Sequence, residues 1–183
     1  MEASHKSRKT LFREECLARL RQAVTHNRYR HDMDVRSRLY TLIKQENAKD
    51  IMLYLPLEME VDIYPLIRKL RQEKRNLYVP FMEGKSFRLV KYRYPLRRKR
   101  FGIKEPLNSR QFRKKQIDIA IVPIVGMDRT YRRVGFGKGM YDRFFEKEIE
   151  NIKKVVFVAR ELCYSKEIVT DHYDIQADVV IVP

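Results

Sequence analysis

The sequence has few of the features that mark secreted, membrane or metal-scaffold proteins. It contains only two cysteines, Cys16 and Cys163, and their spacing matches no metal-ligand motif such as C-x-x-C. No apolar stretch is long enough to cross a membrane. Met1 is followed by charged and polar residues rather than by the apolar region of a signal peptide. We therefore expect a cytoplasmic protein with two free thiols in a reducing compartment.

The chain is also poor in acidic residues relative to basic ones. Its 183 residues carry 40 Lys and Arg against 24 Asp and Glu, a formal charge of +16, and 44% of them are hydrophobic. This size and composition predict a single domain over residues 1–183 with a real core. The charge is compatible with binding to nucleic acid or with steering of a small acidic ligand. Since the basic residues occur all along the chain, we favour a third interpretation, in which they are spread over solvated faces.

Helix-like and strand-like segments alternate along the chain. Hydrophobic periodicity predicts helices over 4–27, 34–46, 63–74 and 139–149, and strands over 51–55, 77–79, 87–94, 117–122, 154–159 and 178–182. Residues 95–108 are predicted to form a loop. This alternation predicts an α/β fold with three α/β/α layers around a mostly parallel, Rossmann-like sheet.

Three of the predicted strands end in a proline, at Pro56, Pro80 and Pro123. Proline suits the point where a strand leaves a sheet. Ligands of open α/β sheets bind beyond the carboxyl ends of the strands. The prolines therefore indicate the floor of a site, although strand termination alone explains them equally well.

A glycine-rich segment carries the clearest chemical signal. Gly135, Gly137 and Gly139 alternate just before a predicted helix, an arrangement that lets backbone amides approach an anion at a helix N-terminus. Lys138 adds a positive charge, and Asp142 lies in the first helical turn, where it could hold Mg²⁺. The segment is neither a P-loop nor a dinucleotide fingerprint. Physics alone leaves an anion site and a solvated glycine turn equally plausible.

The same segment resembles the signature of the 5-formyltetrahydrofolate cyclo-ligase family. The matching pieces, in family order, are Val122-Pro123, Met127-Asp128, Arg133-Val134-Gly135, Gly137-Lys138-Gly139 and Tyr141-Asp142. Four further blocks agree, from about Lys9 to the C-terminus: Lys9 with Arg13, Tyr54-Leu55-Pro56 with Glu60-Val61-Asp62 and Pro65-Leu66-Ile67, Phe101-Gly102-Ile103-Lys104-Glu105-Pro106, and Asp174-Ile175-Gln176-Ala177-Asp178.

The resemblance implies an ATP- and Mg²⁺-dependent ring closure. The formyl oxygen of 5-formyltetrahydrofolate attacks the γ-phosphate of ATP, and N10 then attacks the formyl carbon. The products are 5,10-methenyltetrahydrofolate, ADP and phosphate. Such chemistry depends on positioning and charge neutralisation more than on a protein nucleophile.

The resemblance also implies roles for individual residues. Lys138 and Arg133 would be catalytic, by stabilising the transferring phosphoryl group, and Asp142 would bind Mg²⁺. The expected ATP-binding residues are Lys9, Arg13, Arg133, Gly135, Gly137, Lys138, Gly139, Met140, Tyr141 and Asp142. The expected folate-binding residues are Leu57, Glu60, Phe81, Phe101 and Tyr141, with Glu60 on the pterin. Without the resemblance, Lys9 and Arg13 would be interpreted as solvated, and Leu57 and Phe81 as core.

Two other functions remain open from the sequence. A nucleic-acid binder could use Arg97-Arg98-Lys99-Arg100 with Tyr92, Tyr94 and Phe101 as stacking platforms, although a solvated loop explains this short run better. A relative with a regulatory role would bind MgATP without turning over folate. The expected partners are therefore small molecules, including folate with a polyglutamate tail, and neither a membrane nor nucleic acid. The chain is expected to be a monomer or a homodimer.

Overall fold

The computed structural model describes residues 7–99, 102–107 and 116–183. The helices are α1 (Arg8–Thr25), α2 (Arg28–Gln45), α3 (Tyr64–Gln72) and α4 (Met140–Glu148), the last followed by a 3₁₀ turn, Ile149–Asn151. The strands are β1 (Asp50–Met52), β2 (Asn76–Glu83), β3 (Ser86–Lys91), β4 (Leu96–Arg98), β5 (Lys104–Pro106), β6 (Ile119–Pro123), β7 (Gly126–Asp128), β8 (Arg133–Val134), β9 (Val155–Val158), β10 (Tyr164–Ser165) and β11 (Val179–Ile181).

The central sheet has six strands in the order β11-β9-β6-β1-β2-β3. All neighbours run parallel except the edge pair of β2 and β3. On one side α2 and α3 bury a cluster that includes Leu39, Ile43 and Leu70, and α4 buries Phe144 and Phe145 in a second cluster. The predicted α/β fold with a mostly parallel sheet is thereby confirmed. Each helix of the described residues is too short or too polar to span a bilayer.

The sequence indicated that strand β2 ends at Pro80, but the strand runs further. It continues to Glu83 and pairs with β3, with Pro80 opposite Leu89. Its register with β1 stops at Tyr78, so Pro80 lies on an edge segment of the sheet, where a residue without an N–H donor is tolerated. Alternation along this strand then decides which side chains reach the site.

The prediction of a loop over 95–108 is also wrong in part. Strands β4 and β5 form an antiparallel pair in this stretch, while residues 100–101 and 108–115, which include the predicted Phe101, lie outside the described residues. The pair is anchored by Glu105, whose buried carboxylate accepts a hydrogen bond from the Met82 N–H at 2.8 Å. A strand of three residues is too short to leave a recognisable periodicity in the sequence.

The prediction of two free thiols is wrong in this structure. Cys16 and Cys163 are joined by a disulfide across 147 residues of sequence. The bond links α1 to the segment between β9 and β10, beside Gly126, where an added Cβ would lie 2.8 Å from the Cys16 sulfur. Sequence spacing could not indicate this pair because only the fold brings the two segments together.

Candidate active site

Two cavities adjoin at the carboxyl ends of the parallel strands. The first, the polar cavity, has a volume of about 460 Å³ and is lined mainly by charged groups and glycines. The second, the apolar cavity, measures about 630 Å³ and is lined mainly by aliphatic and aromatic side chains. Arg133, Gly139 and Arg143 line both. A ligand group in one cavity can therefore approach a ligand group in the other at these three residues.

The first turns of α1 bring two cations to the polar cavity. Lys9 Nζ donates to Asp174 at 2.5 Å and to Asp171 at 3.0 Å. Burial would lower the pKa of Lys9, but the hydrogen bonds and charges of Asp174 and Asp171 outweigh it and raise that pKa above its ordinary value. Arg13 Nε donates to the Gly135 carbonyl at 2.8 Å. Arg13 is thus held against the glycine-rich turn, and Lys9 is held against the segment that carries Asp171 and Asp174.

Steric limits at this turn exclude a side chain at its glycine positions. A Cβ on Gly135 would lie only 2.3 Å from the Arg133 guanidinium, and Gly137 has φ near +91°, where a side chain is strained. Gly139, which caps α4, also has positive φ. The turn therefore leads directly into the N-terminus of α4, where unpaired N–H groups and the helix dipole favour an anion.

Asp142 carries a buried acceptor that the described residues leave unused. Its Oδ1 atom has no hydrogen-bond partner among them, and Glu146 lies one helical turn further on in the same cavity. Within the described ranges no group of three or more His, Cys, Asp or Glu side chains could form a metal cage. Mg²⁺ usually takes one or two carboxylates together with phosphate oxygens and water, so this donor set fits Mg²⁺ bound with a nucleotide.

The apolar cavity contains most of the residues expected to bind folate. Leu57, Glu60 and Tyr141 line it, as do Met140 and Lys138, which the resemblance had assigned to ATP. Phe81 does not line it: Pro80 and Met82 do, and side chains alternate along a strand. Phe81 instead packs on the core cluster beneath α2 and α3, with Arg88 over its ring.

Glu60 is the one acidic side chain that lines the apolar cavity within the described residues. Burial raises the pKa of this carboxyl to about 7, although the Leu57 N–H, which donates to it, and the charges of Arg133 and Arg160 oppose the rise. A carboxyl that is half protonated near neutrality can exchange a proton with a ligand or accept paired N–H donors from it.

Arg133 lies on the boundary between the cavities. Its Nε donates to the Pro123 carbonyl at 3.0 Å, and its guanidinium lies 4.6 Å from the centre of the Tyr141 ring. The carbonyl of Pro123, at the end of β6, therefore holds this cation directly. The sequence had indicated this strand end as part of the floor of a site. The group is buried, so an anion beside it would interact more strongly than in water.

Sequence reasoning missed several residues of the site. Arg143 spans both cavities and donates from Nε to the Lys85 carbonyl at 2.7 Å and from Nη2 to the Lys138 carbonyl. His172 and Tyr173 line the polar cavity next to Asp174. The spacing of Arg143 from Gly139, one helical turn, could have indicated it; Tyr173 left no comparable signal.

Comparison with known proteins agrees with this geometry. Residues 5–183 match the model of the 5-formyltetrahydrofolate cyclo-ligase family. The chain belongs to that family. The 5-formyltetrahydrofolate cyclo-ligase of Haemophilus influenzae is 30% identical over 155 residues, which cover 79% of this chain and 81% of that protein. The mouse cyclo-ligase is 21% identical, with 96% and 93% covered.

Solved structures of two similar proteins share the fold. The NMR structure of Aquifex aeolicus 5,10-methenyltetrahydrofolate synthetase superimposes with a TM-score of 0.76 at 30% identity and covers 94% of this chain and 88% of that one. The synthetase of Mycoplasma pneumoniae gives a TM-score of 0.72 at 22% identity, with 96% and 98% covered.

Proposed function

We propose that this cyclo-ligase family member converts 5-formyltetrahydrofolate to 5,10-methenyltetrahydrofolate, with ATP as co-substrate and ADP and phosphate as products. The observation that carries the proposal is the position of Arg133, a buried cation shared by a charged cavity and an apolar one. Membership of the family supports the reaction class. The whole chain, residues 1–183, would act as one cyclo-ligase-like domain.

The nucleotide would occupy the polar cavity. Its triphosphate would lie against the N-terminus of α4 and the turn that contains Gly135, Gly137 and Gly139, with Lys9 and Arg13 as its cations. Asp142 would hold Mg²⁺, which neutralises charge on the phosphate oxygens during transfer. Lys9 is already paired with Asp171 and Asp174, so its charge would have to be shared between these carboxylates and the phosphate.

The folate would occupy the apolar cavity. Leu57 and Tyr141 would contact the pterin ring, and Glu60 would accept its N–H donors. This arrangement brings the formyl group towards Arg133 and Lys138. The formyl oxygen attacks the γ-phosphorus and ADP leaves. N10 then attacks the formyl carbon, the phosphorylated oxygen departs as phosphate, and the proton of N10 passes to that phosphate. Arg133 and Lys138 would stabilise the charge on the phosphoryl group in both steps.

Several wider properties belong to the same proposal. The substrates are small molecules, with a polyglutamate tail accommodated by the positive field of the chain, and the protein acts as a monomer or homodimer in the cytoplasm.

The Cys16–Cys163 disulfide is the observation against a cytoplasmic location, because such bonds are rare in reducing compartments. Rapid alkylation of thiols in fresh cell extract, followed by mass spectrometry, would show free thiols if the location is right.

Absorbance of the methenyl product tests the reaction directly. Purified protein is mixed with 5-formyltetrahydrofolate and MgATP, beside the Asp142→Ala and Lys138→Ala variants. Product from the native chain, strongly reduced in both variants, is the expected result. No product under conditions where MgATP binding is demonstrated would refute the proposal and favour a regulatory relative that binds nucleotide only.

A further inference from the structure

A buried ion pair lies behind the wall of the apolar cavity and outside the site described above. Arg160, two residues after the end of β9, and Asp32, in the first turns of α2, are almost fully inaccessible to solvent. The Arg160 guanidinium donates from Nε to one carboxylate oxygen of Asp32 at 2.8 Å and from Nη2 to the other at 3.2 Å. This two-point contact fixes the plane of the guanidinium.

The remaining donors of that guanidinium reach the turn that carries Glu60. Arg160 Nη1 donates to the Glu58 carbonyl at 3.2 Å, and Nη2 donates to the Glu60 carbonyl. On the cavity side, the Leu57 N–H donates to the Glu60 carboxylate at 2.8 Å. Arg160 thus holds the main chain of residues 57–60 from behind while the Glu60 side chain faces the cavity.

The pair is poorly explained as a device for stability alone. A buried ion pair loses much of its attraction to desolvation, and an apolar pair of similar volume often stabilises a fold as well or better. An apolar pair could not, however, satisfy the carbonyls of Glu58 and Glu60. An ammonium could not make the same planar contacts either, since it is a point charge on a flexible stem.

We propose that Arg160, oriented by Asp32, is a positioning residue for the folate: it fixes the turn at residues 57–60 so that the Glu60 carboxylate meets the pterin in a set direction. The inference rests on the proposed function. We expect an effect on folate binding alone, because Arg160 and Asp32 do not line the polar cavity. Loss of the pair should weaken folate binding and leave MgATP binding nearly unchanged.

The first experiment uses Arg160→Lys and Asp32→Asn, with Arg75→Lys as a matched control. Arg75 also holds a backbone carbonyl, that of Ala48, lies beside Glu73 and lines neither cavity. Affinities for 5-formyltetrahydrofolate and for MgATP are measured separately by calorimetry, and kcat and KM by methenyl absorbance. We expect the folate Kd and KM to rise on the order of 10-fold or more in the two test variants, the MgATP values to change less than about 2-fold, and the control to match the native chain.

The second experiment asks whether Arg160 acts through Glu60. Glu60→Ala is combined with Arg160→Lys in a double-mutant cycle on folate affinity. If Arg160 works by aiming the Glu60 carboxylate, the double variant loses little more than Glu60→Ala alone. Fully additive losses would overturn the proposal. Two other results would also overturn the proposal: equal losses of folate and MgATP affinity in both Arg160→Lys and Asp32→Asn, or failure of both variants to fold. Either result would show that the ion pair stabilises the whole protein rather than the folate site.

The two proposals fail in different ways. A native chain that binds folate and MgATP but forms no product would refute the proposed reaction and leave the calorimetric comparison of variants intact. A native chain that turns over normally, with Arg160→Lys unchanged in folate affinity, would refute the positioning role alone.

Discussion

The two cavities of this protein hold their functional groups by different means. In the polar cavity, charged side chains are held by one another and by the glycine turn: Lys9 by Asp171 and Asp174, and Arg13 by the Gly135 carbonyl. In the apolar cavity, the single described carboxylate, that of Glu60, accepts a hydrogen bond from the Leu57 N–H and is half-buried among mainly apolar side chains. The first arrangement suits a polyanion that needs compensating charge, and the second suits a flat ring that needs a few fixed polar contacts.

Substitutions in the two cavities should therefore affect different substrates. Asp142, which lines only the polar cavity, and Glu60, which lines only the apolar one, should each alter the binding of one substrate, whereas Arg133 on the boundary should alter turnover itself. Four substitutions test this division, beginning with the largest expected effect.

Arg133→Ala should cause the largest loss because it removes the buried cation that both cavities share. We expect kcat to fall on the order of 10²- to 10³-fold, since the charge of the transferring phosphoryl group loses a stabilising donor. Steady-state kinetics by methenyl absorbance measures it. Arg132→Ala, a neighbouring arginine outside both cavity linings, is the control. Loss of binding of one substrate with kcat unchanged would place Arg133 in one cavity only.

Asp142→Asn should affect the polar cavity alone. The substitution keeps the size of the side chain but removes the charge on the buried oxygen expected to face Mg²⁺. We expect the Mg²⁺ concentration needed for half-maximal activity to rise on the order of 10-fold or more. Calorimetric affinity for folate alone should not change. An unaltered Mg²⁺ dependence would exclude Asp142 as a ligand.

Glu60→Gln should affect the apolar cavity alone and should be sensitive to pH. The pKa of Glu60 is raised to about 7, so in the native chain we expect folate affinity to fall as pH drops through about 7 and the carboxylate is protonated. Glu60→Gln should weaken folate binding about 10-fold at pH 8 and abolish this pH dependence. Calorimetry with folate between pH 6 and 8 measures both effects, and an identical pH profile in the variant would contradict the assignment.

Glu60→Gln should raise the free energy of unfolding at pH 8, although it weakens folate binding. Because the pKa of Glu60 is about 7 in the folded chain and 4.5 ordinarily, the folded state retains a proton that the unfolded state has lost between these values. The free energy of unfolding therefore falls as pH rises through this window and stays reduced above pH 7. Glu60→Gln should recover about 3 kcal/mol at pH 8 and almost nothing near pH 4, as measured by urea denaturation.

Tyr131→Asn should have the smallest effect and should alter neither cavity. Tyr131 has a φ of 57° and its side chain is exposed. Asparagine tolerates this left-handed conformation better than tyrosine does. We expect the variant to gain about 0.5–1 kcal/mol in the free energy of unfolding with kcat and both KM values unchanged. A changed KM would show that this turn communicates with a cavity.

Local sequence signals predicted the parts of this structure that local physics determines. The alternation of strands and helices predicted the α/β fold, and the alternating glycines indicated the turn that leads into the start of α4. Long-range contacts gave no such signal. Lys9 meets Asp174 across 165 positions, and Cys16 meets Cys163 across 147. The sequence could not show that Phe81 lies outside the lining of the apolar cavity, because the extension of β2 beyond Pro80, which sets the alternation, depends on pairing with β3.

The two cavities should form one active site in which the formyl oxygen meets the γ-phosphate beside Arg133. The most direct test uses 5-formyltetrahydrofolate labelled with ¹⁸O in the formyl group, turned over with MgATP, and measures the label in the released phosphate by mass spectrometry. We expect one ¹⁸O atom in each phosphate formed. Unlabelled phosphate, with the label released to water, would contradict direct transfer between the cavities.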